Sequence, residues 1–499
     1  MLARRLLGCG LALALLHPLC YWGYYAGDGV IHLVYGEHAA AGRFFEYNLG
    51  EKSAGVTSPG FMLVLAALFR ALPHPWVPYA VKAINLLGHY ALLALVYRLG
   101  RKLALEVRWA AGAAIVVGLT PGLVYNATIG MENGIFATAL YLFFVAAEEV
   151  GWFAAPQEVS AGRQAALGAL LALVCWLRPE GLAVAALVIA QGAWRARSVR
   201  AVAALALPVA LGAAALVGFH FVETGHLMPT SAKARALLSW NDSVWVGPVP
   251  LNPRLTYRLG FFVPVFLCFL AGLPEWCARG GAGAGARGLL LALFGAFFAL
   301  YSTVLASGHI SRYAIFLMPV QALVAASGAR ALAARFPRAR AGACVAGAAA
   351  LLALAVAERV YVIRPGEWDA LARAAAAQAL RPAESEAMLA LVGRPAKRPV
   401  VLAYQEVQAR WWLDERFVIR SLDGRVDPEL LAFVRNGYFD HPGYLRARGV
   451  DFLMQIVNYN REPADWSLEK LADLAPGASA RHDGVGFTRV ADGVFRVDR

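Results

Sequence analysis

Residues Gly27 to Phe61, directly after the first apolar run of the chain, read GDGVIHLVYGEHAAAGRFFEYNLGEKSAGVTSPGF. It is dense in side chains that can carry charge or exchange protons: Asp28, His32, Glu37, His38, Arg43, Glu46 and Glu51. Only 16% of the 499 residues are charged, so this concentration stands out. We therefore treat residues 26–59 as a polar loop around which the apolar segments are arranged.

The composition is that of a polytopic membrane protein. Hydrophobic residues make up 59% of the chain and the mean hydropathy is +0.54, whereas soluble domains typically contain about 25% charged residues. The net charge of +13 lies mostly in short loops beside apolar segments, which is a topology signal and not a nucleic-acid-binding patch. The six cysteines lack the spacing of a zinc site or a disulfide framework.

A membrane-spanning helix needs about 20 apolar residues. The first apolar run lacks a small-x-small cleavage motif, which predicts an uncleaved first span. We predict about 11 spans, at residues 6–25, 76–97, 107–125, 133–147, 163–177, 181–194, 201–222, 257–277, 288–306, 313–329 and 341–357.

The apolar segment 60–72 is too short to cross a bilayer and ends before Pro73. If it does not cross, most of the basic loops fall on the side of the N-terminus, which the positive-inside rule makes cytoplasmic. We therefore predict an interfacial or re-entrant helix at 60–72, within a membrane domain of residues 1–357. The loops that carry the polar and ionisable candidate residues then lie together on the outer face of the membrane.

Residues 358–499 are less apolar and predict an extracytoplasmic α/β domain. The patterns predict strands at 397–404, 417–419 and 450–454 and helices at 428–435 and 468–474. An alanine-rich helix at 373–380 is expected to link this domain to the last span.

Asp28 has two interpretations. An Asp between glycines ahead of a helical pattern is a common N-cap. Alternatively, a carboxylate at the membrane surface can act as a general base for a hydroxyl. His32 lies four residues later and shares the helical face of Asp28, which favours an acid–base or phosphate-binding pair.

Other outer loops carry further candidates. Glu132 could simply be an acidic residue favoured by the dipole of the following helix. The turn Arg178-Pro-Glu-Gly181 could simply end one helix and start the next, but Arg178 lies on the outer side against the positive-inside trend, which favours a bound anion. Taken singly, the outer basic residues could anchor lipid headgroups, but together they predict a phosphate pocket beside the bilayer: His226, Lys233, Arg235, His309 and Arg312.

A series of short motifs extends over most of the membrane region. In order they are Asp28 with Tyr35, Ala41-Gly42, Asn48-Leu-Gly-Glu51, Gly55-Val-Thr-Ser-Pro59, Gly130-Met-Glu132, Arg178-Pro-Glu-Gly181, His226-Leu-Met-Pro229 with Lys233, and Ser311-Arg-Tyr313. The series resembles bacterial GT-C glycosyltransferases, and within them the arabinofuranosyl- and mannosyltransferase-like group that uses polyprenyl-phosphate sugars.

This resemblance implies an inverting membrane glycosyltransferase in which Asp28 is the catalytic base. It implies donor-phosphate binding by Lys233, Arg178, Arg312 and His309, and sugar or acceptor binding by His32, Glu132, His226, Glu180 and Tyr313. The donor would be a polyprenyl-phosphate-linked sugar and the acceptor a hydroxyl of a glycan, lipid or protein. The enzyme would lie in the bacterial inner membrane with its site and C-terminal domain facing the periplasm.

One position departs from that family. Its members often have an acidic pair at the head of the first loop, where this chain has Gly27 before Asp28. We therefore expect no required cofactor, with a divalent cation as the alternative.

Two other functions fit a polytopic chain. A transporter or flippase of lipid-linked sugars would place ionisable residues near the bilayer midplane and show two related halves, neither of which the sequence displays. A catalytically inactive envelope-assembly scaffold is favoured only by Gly27.

Overall fold

The computed structural model describes residues 2–231, 263–278, 283–303, 315–336, 369–393, 398–404, 409–422, 427–435, 438–454, 471 and 473–498. The N-terminal helices are α1 (Leu2–Leu16), α2 (Gly27–Ala40), α3 (Pro59–Ala71), α4 (Val77–Lys102), α5 (Val107–Leu119), α6 (Pro121–Thr128), α7 (Asn133–Glu149), α8 (Ala161–Leu177), α9 (Glu180–Ala196) and α10 (Ala203–Thr224). The remaining helices are α11 (Val263–Ala278), α12 (Ala284–Thr303), α13 (Met318–Arg335), α14 (Ala370–Val392), α15 (Ala409–Trp412) and α16 (His441–Ala447).

Each predicted span from 6–25 to 313–329 coincides, wholly or in part, with one of these helices. The predicted span at 341–357 lies outside the described residues. By length and composition, three described helical segments can cross a membrane: His74–Lys102, Arg200–Thr224 and Ile315–Arg335. Val107–Leu119 and Gly122–Thr128 meet the same criteria only when taken together; they are bent by 66° and form either a broken span or a re-entrant loop. The architecture is that of an α-helical membrane protein, as the sequence predicts.

The polar first loop is ordered into a helix, a hairpin and a second helix. Helix α2 is followed by strands β1 (Glu46–Asn48) and β2 (Glu51–Lys52), which pair antiparallel, and then by α3. Helix α3 occupies the segment predicted as a short helix, and Pro59 begins it because its fixed φ suits the first turn. Its position at the membrane surface remains a prediction.

A single glycine lets α2 lie close against α3. A Cβ atom at Gly36 would overlap the Cβ of Leu65, which cannot move without shifting the α3 backbone. The side chains around this contact, including Leu33, Phe61 and Met62, are almost completely buried. The first loop is therefore part of a packed core.

The C-terminal domain is built on a mixed sheet of six described strands. These are β3 (Val400–Tyr404), β4 (Phe417–Ser421), β7 (Phe452–Met454), β8 (Ser479–His482), β9 (Val485–Ala491) and β10 (Val494–Asp498), in the spatial order β4-β3-β7-β10-β9-β8. Strand β3 is parallel to β4 and β7, while β10 is antiparallel to β7 and β9. A separate two-stranded ribbon pairs β5 (Val434–Arg435) with β6 (Tyr438–Phe439).

The sequence predicts this domain in part. Strands β3, β4 and β7 lie where strands are expected, and the linking helix extends to Ala370–Val392. The predicted helix at 428–435 is wrong at its end, because a short 3-10 helix at Pro428–Ala432 gives way to β5. Strands β8 to β10 are absent from the prediction. Most of the predicted helix at 468–474, and the domain boundary at 357–358, lie outside the described residues.

Two apolar clusters organise the molecule. The larger joins the membrane helices α4, α5, α7, α8, α9 and α13. The second combines side chains of α2 and α3 with Leu371 and Ala374 of α14, Trp411 and Ile419. The first loop therefore shares its core with the C-terminal domain.

Candidate active site

Asp28 lies in the first turn of α2 and is half-buried. The N-cap residue of α2 is Ala26, in an extended conformation, and makes no side-chain capping hydrogen bond. The interpretation of Asp28 as the N-cap is therefore wrong. Because Asp28 follows the N-cap by two residues, its carboxylate instead lies near the positive end of the helix dipole.

Arg178 is the centre of a buried ionic cluster. Its Nη1 donates to Glu132 Oε1 at 2.7 Å and to the side-chain oxygen of Asn133. Its Nη2 and Nε donate to the two carboxylate oxygens of Glu180, at 2.7 and 3.2 Å. This arrangement spans three elements, since Glu132 and Asn133 start α7, Arg178 ends α8 and Glu180 starts α9.

His32 connects the helix of Asp28 to this cluster. Its Nε2 lies 3.2 Å from Glu132 Oε2, and its ring contacts Phe61 edge-on. Glu132 is only 1% exposed. Burial alone would raise the pKa of Glu132, but the His32 ring and the Arg178 guanidinium lower it to about 2. Glu132 is therefore an ionised carboxylate that joins α2 to α7 and α8.

Backbone contacts hold the start of α2 against the loop before α7. The Ala26 amide donates to Ile129 O at 3.0 Å. A Cβ at Gly29 would lie only 3.0 and 3.1 Å from the carbonyl oxygens of Ile129 and Gly130, so a side chain here would require this loop to shift slightly. These contacts bring Asp28 close in space to the loop that ends at Glu132.

Lys82 supports the same region from within the membrane helices. Its side chain is 1% exposed in α4, and its Nζ donates to Tyr24 O at 2.6 Å and to Thr128 O. Tyr24 precedes Asp28 by four residues, and Thr128 precedes Glu132 by four. Lys82 therefore connects the segment that leads to Asp28 with the segment that leads to Glu132.

Two buried nitrogen atoms of the cluster have no hydrogen-bond partner among the described residues. They are Nδ1 of His32 and Nδ2 of Asn133, on side chains that are 7% and 0% exposed. An unpaired buried polar group typically costs about 1–3 kcal/mol. Both nitrogens lie on side chains that contact the Glu132–Arg178 pair.

The other predicted site residues are distributed as follows. Glu180 belongs to the Arg178 cluster. The side chain of His226 is exposed, and its carbonyl oxygen accepts a hydrogen bond from His220 Nδ1 at 2.7 Å. Four predicted residues lie outside the described part of the chain: Lys233, His309, Arg312 and Tyr313.

A metal site does not emerge from the acidic residues of this region. Within the described ranges, no group of three or more His, Cys, Asp or Glu side chains is placed to hold a metal ion. Glu132 and Glu180 are instead paired with Arg178.

Sequence reasoning missed Lys82 and Asn133. A lone lysine inside a predicted span was a signal for Lys82, because charges within membrane helices are costly and need a partner. Asn133 carried no such signal, since its role depends on its contact with Arg178, which is 45 positions away in the chain.

No protein-family model matches the sequence, and no curated protein matches it significantly. Solved structures do match. ArnT from Cupriavidus metallidurans bound to undecaprenyl phosphate is 13% identical with a TM-score of 0.53, and the match covers 91% of this chain and 96% of ArnT. The Archaeoglobus fulgidus oligosaccharyltransferase AglB, in complex with an inhibitory peptide and a dolichol-phosphate, is 13% identical with a TM-score of 0.53, covering 91% of this chain and 69% of AglB. ArnT in the apo state gives 12% identity and a TM-score of 0.50, over 92% and 97% of the two chains. Since ArnT and AglB are GT-C glycosyltransferases, this chain has the GT-C fold.

Proposed function

We propose that the chain is an inverting glycosyltransferase that moves one sugar from a polyprenyl-phosphate donor to a hydroxyl group. The observation that carries this proposal is the GT-C fold, which extends over 91% of the chain in the matches to ArnT bound to undecaprenyl phosphate and to AglB with a dolichol-phosphate. We further propose that it belongs to the arabinofuranosyl- and mannosyltransferase-like group of these enzymes. The acceptor is a glycan, lipid or protein on the outer side of the bacterial inner membrane.

Asp28 is the general base in this proposal. Its carboxylate accepts the proton of the acceptor hydroxyl while that oxygen attacks the anomeric carbon of the donor sugar. The bond between the anomeric carbon and the phosphate oxygen breaks, and its electron pair leaves with the polyprenyl phosphate. A single displacement of this kind inverts the anomeric configuration.

The other candidate site residues have three proposed roles. Arg178 already donates to Glu132, Asn133 and Glu180, so we propose that it positions Glu132 and does not itself bind the phosphate. His32 and Asn133 present unpaired nitrogens to sugar or acceptor hydroxyls. Electrostatic stabilisation of the leaving phosphate is assigned to Lys233, His309 and Arg312.

The test is transfer by the purified full-length protein from a panel of undecaprenyl-phosphate-linked mannose, arabinofuranose and aminoarabinose. Asp28→Asn keeps the shape of the side chain and removes the base, so we expect kcat to fall by about 10²–10⁴-fold at unchanged donor KM. Asp369→Asn is the matched control, because Asp369 is an exposed carboxylate paired with Arg373 at the start of α14. An Asp28→Asn variant with the wild-type rate would exclude Asp28 as the base.

A further inference from the structure

The first loop covers the outer edge of the C-terminal sheet. Strand β4 is an outer strand of that sheet, and Asn48 of the first-loop hairpin lies beside it. The Asn48 side chain donates from Nδ2 to Ile419 O and accepts from Ile419 N at Oδ1, both at 2.9 Å. These are the two hydrogen bonds that a neighbouring strand would make.

An ion pair adjoins this contact. Arg420 donates from Nη1 and Nη2 to the two carboxylate oxygens of Glu51, each at 2.7 Å. Arg420 is 8% exposed and also lies 3.4 Å from Asp427, which accepts a hydrogen bond from Tyr444 OH. Paired, bidentate geometry of this kind is directional, so it fixes orientation as well as distance.

A second ion pair reaches α2 itself. Arg381 of α14 donates to both carboxylate oxygens of Glu37, at 3.0 and 2.6 Å. The Arg381 guanidinium lies 5.0 Å from the ring centre of Trp411, on whose ring His74 stacks. Glu37 is near the C-terminal end of α2, whereas Asp28 is in its first turn.

Helix α2 is thus held at both ends by different parts of the molecule. The loop at 129–132 holds its start, and the C-terminal domain holds its end and the hairpin that follows. Glu37 and Asp28 are nine residues apart, about 13 Å along a helix, so a small pivot at Glu37 displaces Asp28. A displacement of about 1 Å at a reacting group can cost about 10²-fold in rate.

We propose that the C-terminal domain positions the base of the reaction through this first-loop clamp, defined as the contacts Asn48–Ile419, Glu51–Arg420 and Glu37–Arg381. Asn48 and Glu51 are positioning residues that act on Asp28 through the hairpin and α2. The inference rests on the proposed function only for the role of Asp28. The existence of the clamp is independent of it.

The experiment uses the full-length protein with Glu51→Ala, Asn48→Ala/Glu51→Ala and the conservative variant Glu51→Gln. Glu386→Ala is the matched control, because Glu386 pairs with Arg416 entirely within the C-terminal region. We measure hydrogen exchange over residues 27–52, together with kcat and KM for the donor panel. Glu51→Ala should speed exchange at 46–52 and lower kcat by about tenfold, with donor KM changed by less than about twofold. The double variant should be more affected, Glu51→Gln less, and Glu386→Ala should match the wild type.

Wild-type exchange in the double variant would show that the clamp does not hold the hairpin. Faster exchange with an unchanged kcat would show that the clamp does not position the base. A wild-type protein that transfers no sugar from the panel would instead count against the proposed function, while the exchange measurement still decides the clamp.

Discussion

The buried charged side chains Glu132 and Lys82 have partners on segments that are distant in the sequence. Glu132 takes Arg178 and His32, and Lys82 takes two backbone carbonyls. In an apolar interior an isolated charge would cost several kcal/mol, so each of these residues constrains the segment that supplies its partner. The relative positions of the segments at the candidate site therefore depend on the partners that these buried charged side chains require.

The contribution of Glu37 to the free energy of unfolding should depend on pH. Burial alone would raise its pKa, but hydrogen bonds and charges from His74 and Arg381 lower it from 4.5 to about 2. A carboxylate with a lowered folded-state pKa stabilises the fold above its unfolded pKa and loses this contribution as pH falls through its folded pKa. We expect up to about 3 kcal/mol of stability from Glu37, lost between about pH 4.5 and pH 2.

The measurement is thermal denaturation in detergent across this pH range. Glu37→Gln should denature at a lower temperature than the wild type near neutral pH, and the difference should shrink toward pH 2. Glu106→Gln, at an exposed carboxylate before α5, is the control and should track the wild type. A Glu37→Gln difference that does not vary with pH would contradict the ionised Glu37–Arg381 pair.

Helix α2 contacts three other parts of the molecule. It contacts α3 along its side, the loop at 129–132 at its start and the C-terminal domain at its end. The contact with α3 depends on Gly36, where any side chain would meet Leu65. Packing at this one glycine therefore sets the separation of α2 and α3.

Gly36→Ala tests that separation. The added methyl group should push α2 from α3 and cost about 1–3 kcal/mol, which is typical of overpacking. Gly112→Ala is the matched control, because a Cβ at Gly112 in α5 meets no atom within 4 Å. We expect the control to be neutral or stabilising by up to about 1 kcal/mol, as alanine favours helix. Equal denaturation temperatures for Gly36→Ala and the wild type would show that the two helices are not closely packed.

At the scale of the whole molecule, the loops separate into two sets. The loops predicted to face outward contact each other, as in Glu132–Arg178 and Lys52–Glu223, the latter at 2.7 Å. The loops predicted to face inward also meet, as in Arg98–Glu149 and in the hydrogen bond from Arg195 to Phe153 O at 2.6 Å. This grouping agrees with the alternation of spans that the sequence predicts.

The orientation of the two sets is testable by cysteine labelling in a cysteine-free background. Ala383 in α14 and Ser198 after α9 are both exposed. We expect a membrane-impermeant maleimide to label Ala383→Cys in intact spheroplasts and Ser198→Cys only after lysis. The reverse pattern would place the candidate site on the cytoplasmic side.

Prediction from the sequence succeeded where a local pattern carries the information. Apolar length located the membrane helices, and the short run before Pro73 located α3. It failed for β8 to β10, whose strands alternate weakly and carry several polar residues, such as Arg481 and Arg489. Those strands are stabilised by pairing with each other and with β7, which no local pattern reports.

The sequence by itself determined an α-helical membrane protein, and it predicts that the polar loops share one face and that Asp28 is the base. Only the tertiary structure decided which partner each charge takes. It paired Arg178 with Glu132 across 46 positions and Asn48 with Ile419 across 371. The physical reason is that hydropathy and charge act through local segments, whereas ion pairs and strand edges form only where packing brings distant segments together.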